Sequence, residues 1–153
     1  NLLALSANEY KHSIHIEKEF MEILHLYCNP GEINQVLLNI LMNAYAAVKE
    51  KYKDTEGEDK KGCIRIRTAH DNDFIMIAIK DNGLGIKKEN RERIFDPFFT
   101  TKKVGAGTGL GLSISYNIIK NHNGYINVES DEGRYCECII GLPLETREKN
   151  RLH

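Results

Sequence analysis

The chain has 153 residues, 41% of them hydrophobic and 28% charged, with 21 basic against 22 acidic side chains and a formal net charge of -1. That length suits one domain with a sizeable core, and the balanced charge excludes the clustered basic face of a nucleic-acid binder. No apolar run approaches the ~20 residues of a membrane span and no signal-peptide pattern opens the chain, so this segment is expected to be cytoplasmic and free of membrane contact, whatever anchor the parent protein carries.

Residues 1 to 12 read as a short helix. Ile14 and Ile16 then alternate with Ser13, His15 and Glu17 as a half-buried strand. Leu24, Leu26 and Cys28 repeat the alternation for a second short strand, which leaves His15 and His25 facing solvent. Asn29-Pro30-Gly31-Glu32 is a helix start, with a capping Asn, Pro at the first helical position and Glu three residues after the cap. The helix is expected from Glu32 to about Lys51, with Val36, Leu37, Ile40, Leu41, Ala44 and Val48 as its core stripe. Gln35, Asn39 and Asn43 form a separate row at i, i+4. Asparagines are poor mid-helix residues; the row is either a solvated face or a pair of amide oxygens aimed at a ligand or a hydrated cation.

Asp54 to Gly62 is a charged connection. Ile64, Ile66 and Thr68 alternate with Arg65 and Arg67, and Ile75, Ile77 and Ile79 alternate with Met76, Ala78 and Lys80, for two more strands. Continuing the second alternation puts Asp81 on the isoleucine face, where a carboxylate costs several kcal/mol unless satisfied (order of magnitude). Asn82-Gly83-Leu84-Gly85-Ile86 follows, turn chemistry whose glycines would also let a flat ligand approach the backbone. The phase of Asp81 favours a ligand-facing carboxylate.

Lys87 to Arg93 is charged and helix-compatible. Ile94 to Lys102 breaks that pattern with Phe95, Phe98 and Phe99 beside Pro97, and reads as an apolar-anchored loop, a lid candidate. Glycine then falls at every second position from Gly105 to Gly111, ahead of an apolar helical pattern of Leu110, Ile114, Ile118 and Ile119. Backbone N–H groups at a helix start form an anion site; the spacing is neither that of dinucleotide folds nor a P-loop. Gly124 is the expected helix stop. Tyr125 to Ser130 is a strand with Ile126 and Val128 inward, Asp131-Glu132-Gly133 turns, and Tyr135 to Leu142 returns with Cys136, Cys138, Ile140 and Leu142 on one face. Four cysteines without zinc spacing (Cys28, Cys63, Cys136, Cys138) read as small buried residues in a reducing compartment. One domain, 1–144, and a charged tail, 145–153, account for the chain.

Four of these stretches, in this order, resemble the catalytic ATP-binding domain of bacterial sensor histidine kinases, within the ATPase superfamily shared with gyrase, Hsp90 and MutL. Gln35 to Ala44 resembles the N box, Asp81 to Ile86 the first glycine box, Phe95 to Lys102 the F box, and Gly107 to Leu112 the second glycine box. The F-box wording and the Thr108 to Ser115 run look closest to the nitrogen-regulation type. The resemblance implies a Bergerat-type α/β (α+β) sandwich: a mixed, mostly antiparallel sheet with helices on one face and an ATP lid. It implies ATP and Mg2+ as ligands, with Asp81, Gly83, Gly85 and Ile86 at the adenine, Asn43 on the metal, and Asn39 on phosphate or metal-bound water. Thr101, Lys102, Gly107, Thr108, Gly109, Leu110, Gly111 and Leu112 would meet the phosphates, with Lys102 and Arg93 as lid-side donors. Asn39, Asn43 and Lys102 would be the catalytic set.

Two departures are local. Ala46 and Ala47 stand where many relatives carry a lysine, leaving Lys49 as the substitute, and Gly133-Arg-Tyr-Cys replaces a Gly-x-Gly-Thr. A third concerns the reaction: none of His12, His15, His25, His70, His122 and His153 lies in the phosphoacceptor pattern. The implied activity is γ-phosphoryl transfer to a histidine on dimerisation helices outside this segment, then to a response regulator, with the segment itself a monomer. The alternatives are an ATPase or protein-serine kinase of the same superfamily, or a non-catalytic nucleotide-dependent interaction module.

Overall fold

The computed structural model describes residues 14–22, 26–55, 62–100 and 111–144. In chain order these form β1 (Ile14–Glu19), α1 (Pro30–Tyr52), β2 (Gly62–His70), β3 (Phe74–Asp81), a single 3-10 turn (Lys88–Asn90), α2 (Gly111–Asn121), β4 (Tyr125–Asp131) and β5 (Tyr135–Pro143). The strands make one sheet in the order β1-β2-β3-β5-β4. β1 runs parallel to β2, and the other neighbours are antiparallel. Both helices pack on one face, so the mixed, mostly antiparallel α/β sandwich is the fold. The helix over 1–12, Leu24 and His25, and the tail 145–153 lie outside the described residues.

The core follows the two periodicities. Ile33, Val36, Ile40, Ala44 and Val48 of α1 are buried against Ile64, Ile66, Ile79, Ile126, Cys138, Ile140 and Leu142 of the sheet, each large side chain contributing about 1.5–3 kcal/mol of transfer free energy. Cys138 and Cys136 belong to this apolar environment, which pushes both thiols up to about 12. All four cysteines are free thiols.

Three local expectations change. Leu26 to Asn29 has no strand pairing; Leu26 and Cys28 still pack on the core, so their alternation reflects burial without a ladder. On α2 the inward residues are Ser113, Ser115, Ile118 and Ile119, whereas Ile114 is exposed. The inward stripe therefore runs through Leu112, Ser115, Ile118 and Ile119, with a serine where the pattern suggested an aliphatic. The helix stop is shared between two residues: Asn123 adopts the left-handed conformation (φ 58), and Gly124 closes on Ile119 O at 2.9 Å. A Cβ on Gly124 would sit 2.2 Å from Gly141 O, so that glycine serves close approach to β5.

The start of α1 joins the two helices. Asn29 Oδ1 accepts from Glu32 N at 3.2 Å, with Pro30 in the first turn. Glu32 does not complete a reciprocal cap. Asn29 N instead donates to His122 Nε2 at 3.1 Å, while His122 Nδ1 meets Ile118 O at 2.8 Å.

Candidate functional site

At the end of β3 the inward phase does continue through Ile79 to Asp81, which is only 5% exposed. Asp81 stands in register between Ile64 of β2 and Cys136 of β5, and its Oδ1 accepts from Gly83 N at 2.8 Å. Burial pushes its carboxyl up from 3.8 to about 6, against the opposing pull of the Gly83 N–H and the Lys51 charge. At neutral pH it is a desolvated carboxylate with acceptor capacity beyond that one bond.

The loop after Asp81 is clamped between α1 and the β4–β5 hairpin. A Cβ on Gly83 would lie 2.6 Å from Ala47 C, and one on Gly85 (φ +67) 2.4 Å from Asp131 O. On their Cβ sides these glycines allow protein to pack on protein. Gly133 N donates to Leu84 O at 2.6 Å, and Ile86 N donates to Ser130 Oγ at 2.8 Å, which itself donates to Tyr135 O at 2.8 Å.

Asn39 and Asn43, both half-buried, lie one turn apart on α1. Asn39 Nδ2 donates to Gly111 O at 3.2 Å and to Ser115 Oγ at 3.3 Å, and the fully buried Ser115 donates to Gly111 O at 2.8 Å. The amide nitrogen is thus committed to the first turn of α2, leaving Oδ1 as the acceptor for a ligand. Gln35, the third member of the row, is exposed. Ser115→Ala is expected to destabilise the chain by about 1–2 kcal/mol by removing a buried partner, read by urea unfolding. Among the described residues no group of three His, Cys, Asp or Glu could hold a metal ion.

The F-box segment is anchored at its start. Ile94 is buried, and the Phe95 ring lies 5.4 Å from that of Tyr116 on α2. Phe98, expected to be an anchor, is 73% exposed and holds a left-handed backbone (φ 66), an outlier for an aromatic residue. Arg93 lies over the Phe99 ring at 4.8 Å, and these residues with Asp96, Pro97, Phe98 and Thr100 line a shallow groove of their own. Thr101, Lys102, Gly107, Thr108, Gly109 and Leu110 lie outside the described residues; Gly111 and Leu112 open α2. Lys49 lies over the Tyr45 ring at 5.8 Å.

Sequence reasoning missed Lys51, Ser115 and Ser130. Ser115 had a signal, its place on the inward phase of α2; the other two act through backbone carbonyls and amides that no spacing rule marks.

Comparison with known proteins gives a consistent set of likenesses. The model of the histidine kinase-, DNA gyrase B- and HSP90-like ATPase family matches residues 28–146. The chain is 37% identical over 126 residues to sporulation kinase E of Bacillus subtilis, covering 82% of this chain and 16% of that protein. It is 43% identical over 113 residues to the signal transduction histidine-protein kinase AtoS of Escherichia coli, covering 73% and 17%. It therefore spans about a sixth of these relatives' length. A solved catalytic domain of the histidine kinase ThkA superposes with a TM-score of 0.74 at 33% identity, covering 92% of this chain and 86% of that one.

Proposed function

The chain belongs to the family of histidine kinase-, DNA gyrase B- and HSP90-like ATPases, and on that premise we propose that it binds Mg-ATP and transfers the γ-phosphoryl group to a histidine outside this segment, in two-component signalling. The observation that carries this is Asp81: a buried carboxylate, fixed at one oxygen by Gly83 N, with its remaining acceptor capacity suited to an exocyclic amino group such as that of adenine. Bound Mg2+ would offset phosphate charge, held by Asn43 with Asn39 nearby. Gly111 and Leu112 offer the start of α2 to the phosphates; Thr101, Lys102 and Gly107 to Leu110 are assigned there by motif. Gly83, Gly85 and Ile86 are assigned to the adenine by motif, and their packing and hydrogen bonds also hold Asp81 and the loop in place.

In the transfer the acceptor imidazole nitrogen forms the new bond to phosphorus as the bond to the bridging oxygen breaks. ADP leaves with that electron pair, and the ring's other nitrogen releases its proton to solvent. Neither asparagine is a base, so this chain positions and stabilises charge. That chemistry disfavours a resident ATPase, because Asn39 has no basic group to activate water. His122, held between Asn29 N and Ile118 O, has a structural place away from any acceptor role. The acceptor helices and a response regulator are the proposed partners, and the nitrogen-regulation subtype rests on motif wording alone. Among the described residues no helix is long and apolar enough to cross a membrane; a cytoplasmic place for this domain is part of the proposal.

Mixing the chain with phosphoacceptor helices of a sensor kinase, ATP and Mg2+ is expected to give acid-labile phosphate on the helices, and none with Asp81→Asn. ATP turnover by the chain alone at ordinary enzyme rates would instead favour the ATPase reading.

A further inference from the structure

We propose that Lys51 is the positioning residue of the nucleotide site, orienting Asp81 through the Asn82–Gly83 peptide group. This rests on the reading of Asp81 as the base-recognising carboxylate. Lys51 is half-buried in the last turn of α1, and its Nζ donates to Asn82 O at 3.0 Å and to Gly133 O at 2.9 Å. Asn82 C=O and Gly83 N–H are the two ends of one planar peptide. The ammonium grips the oxygen end, and the nitrogen end donates to Asp81 Oδ1 at 2.8 Å. Fixing that plane fixes the direction from which Asp81 is held, and a cation on the carbonyl polarises the peptide and strengthens its N–H as a donor. The second bond, to Gly133, pins the β4–β5 turn over the same loop, where Gly133 N already closes on Leu84 O.

Among the described residues Lys51 is the cation that acts on Asp81 itself, while Arg91 acts on its neighbour Cys136. Opposite Asp81 stand the apolar Ile64 on β2 and the thiol of Cys136 on β5, the latter held protonated by burial, with the Asp81 charge adding to the effect. The Lys51 charge pulls the carboxyl of Asp81 down, toward its ionised form. Lys51 therefore does two things to one carboxylate: it sets its rotamer through the peptide, and it favours its ionised form.

The test is isothermal titration of ADP with the 153-residue chain from pH 5.5 to 8.5, in wild type, Lys51→Met, Lys51→Gln, Lys51→Arg and Asp81→Asn. In wild type, affinity is expected to fall as pH drops through about 6. Loss of the charge should move that acid limb upward by about one pH unit, leaving binding about fivefold weaker at pH 6, over any pH-independent loss, and near wild type in its pH dependence above pH 8. Lys51→Arg should restore the wild-type limb. Lys51→Gln retains a donor for one carbonyl and should shift the limb as Met does, which keeps the test decisive if the Met variant does not fold. A limb unchanged in Lys51→Gln, or a uniform loss at all pH values, overturns the proposal. Absence of ADP binding by wild type would instead overturn the nucleotide reading itself, and the Asp81→Asn control separates the two.

Discussion

Asp81→Asn is expected to abolish adenine-nucleotide binding while making the nucleotide-free chain more stable. Asn keeps an oxygen for the Gly83 N–H but brings an NH2 where the ligand's amino group needs an acceptor. Two donors then face each other, and the expected loss is at least about 100-fold in affinity. The gain in stability comes from desolvation. The carboxyl is raised from 3.8 to about 6 in the folded chain, so the fold favours its protonated form. That preference contributes its full stability below about pH 4, is lost as pH rises through about 6, and leaves the ionised group costing on the order of 3 kcal/mol at pH 7. Urea unfolding should show the variant ahead of wild type at pH 7 and the gap closing toward pH 4. A variant less stable than wild type at pH 7, or one that still binds ADP as tightly, would remove Asp81 from its assigned role.

Gly85→Ala should be strongly damaging. Gly85 combines φ +67 with a Cβ position 2.4 Å from Asp131 O and 3.0 Å from Tyr135 O, both backbone atoms of the hairpin. The left-handed conformation alone costs about 1 kcal/mol. Undocking the loop from the hairpin adds the loss of the Gly133–Leu84 and Ile86–Ser130 bonds, for a total of about 3–5 kcal/mol. Gly133 is the control: its φ is +79 but nothing lies within 4 Å of its Cβ position. Gly133→Ala should therefore cost only the conformational part, about 1 kcal/mol. Thermal unfolding of the two variants reads the difference, and equal costs would show that the loop does not need its close seat on the hairpin.

Much of the fold was readable because its signals are local. The period of two through Ile75, Ile77 and Ile79 placed Asp81 inward, and the Asn29-Pro30 start placed α1 within two residues of its observed beginning. The row of Asn39 and Asn43 was visible as spacing, and the order of four motifs pointed to a family that the comparison bears out. Where the reading slipped, a distant residue had replaced a local one. Glu32 is spaced for a reciprocal cap, yet His122 takes Asn29 N. Phe98 looks like an anchor, yet it faces solvent.

By itself, then, the sequence determined most of the elements and inward faces and the placing of Asp81, Asn39 and Asn43, since these follow from spacing along one strand or helix. Tertiary structure alone decided the parallel pairing of β1 with β2, the seat of Gly83 and Gly85 against α1 and the hairpin, and the grip of Lys51 on two distant carbonyls. Periodicity reports which way a side chain faces. It carries no record of which backbone group, 31 or 82 residues away, will be waiting there.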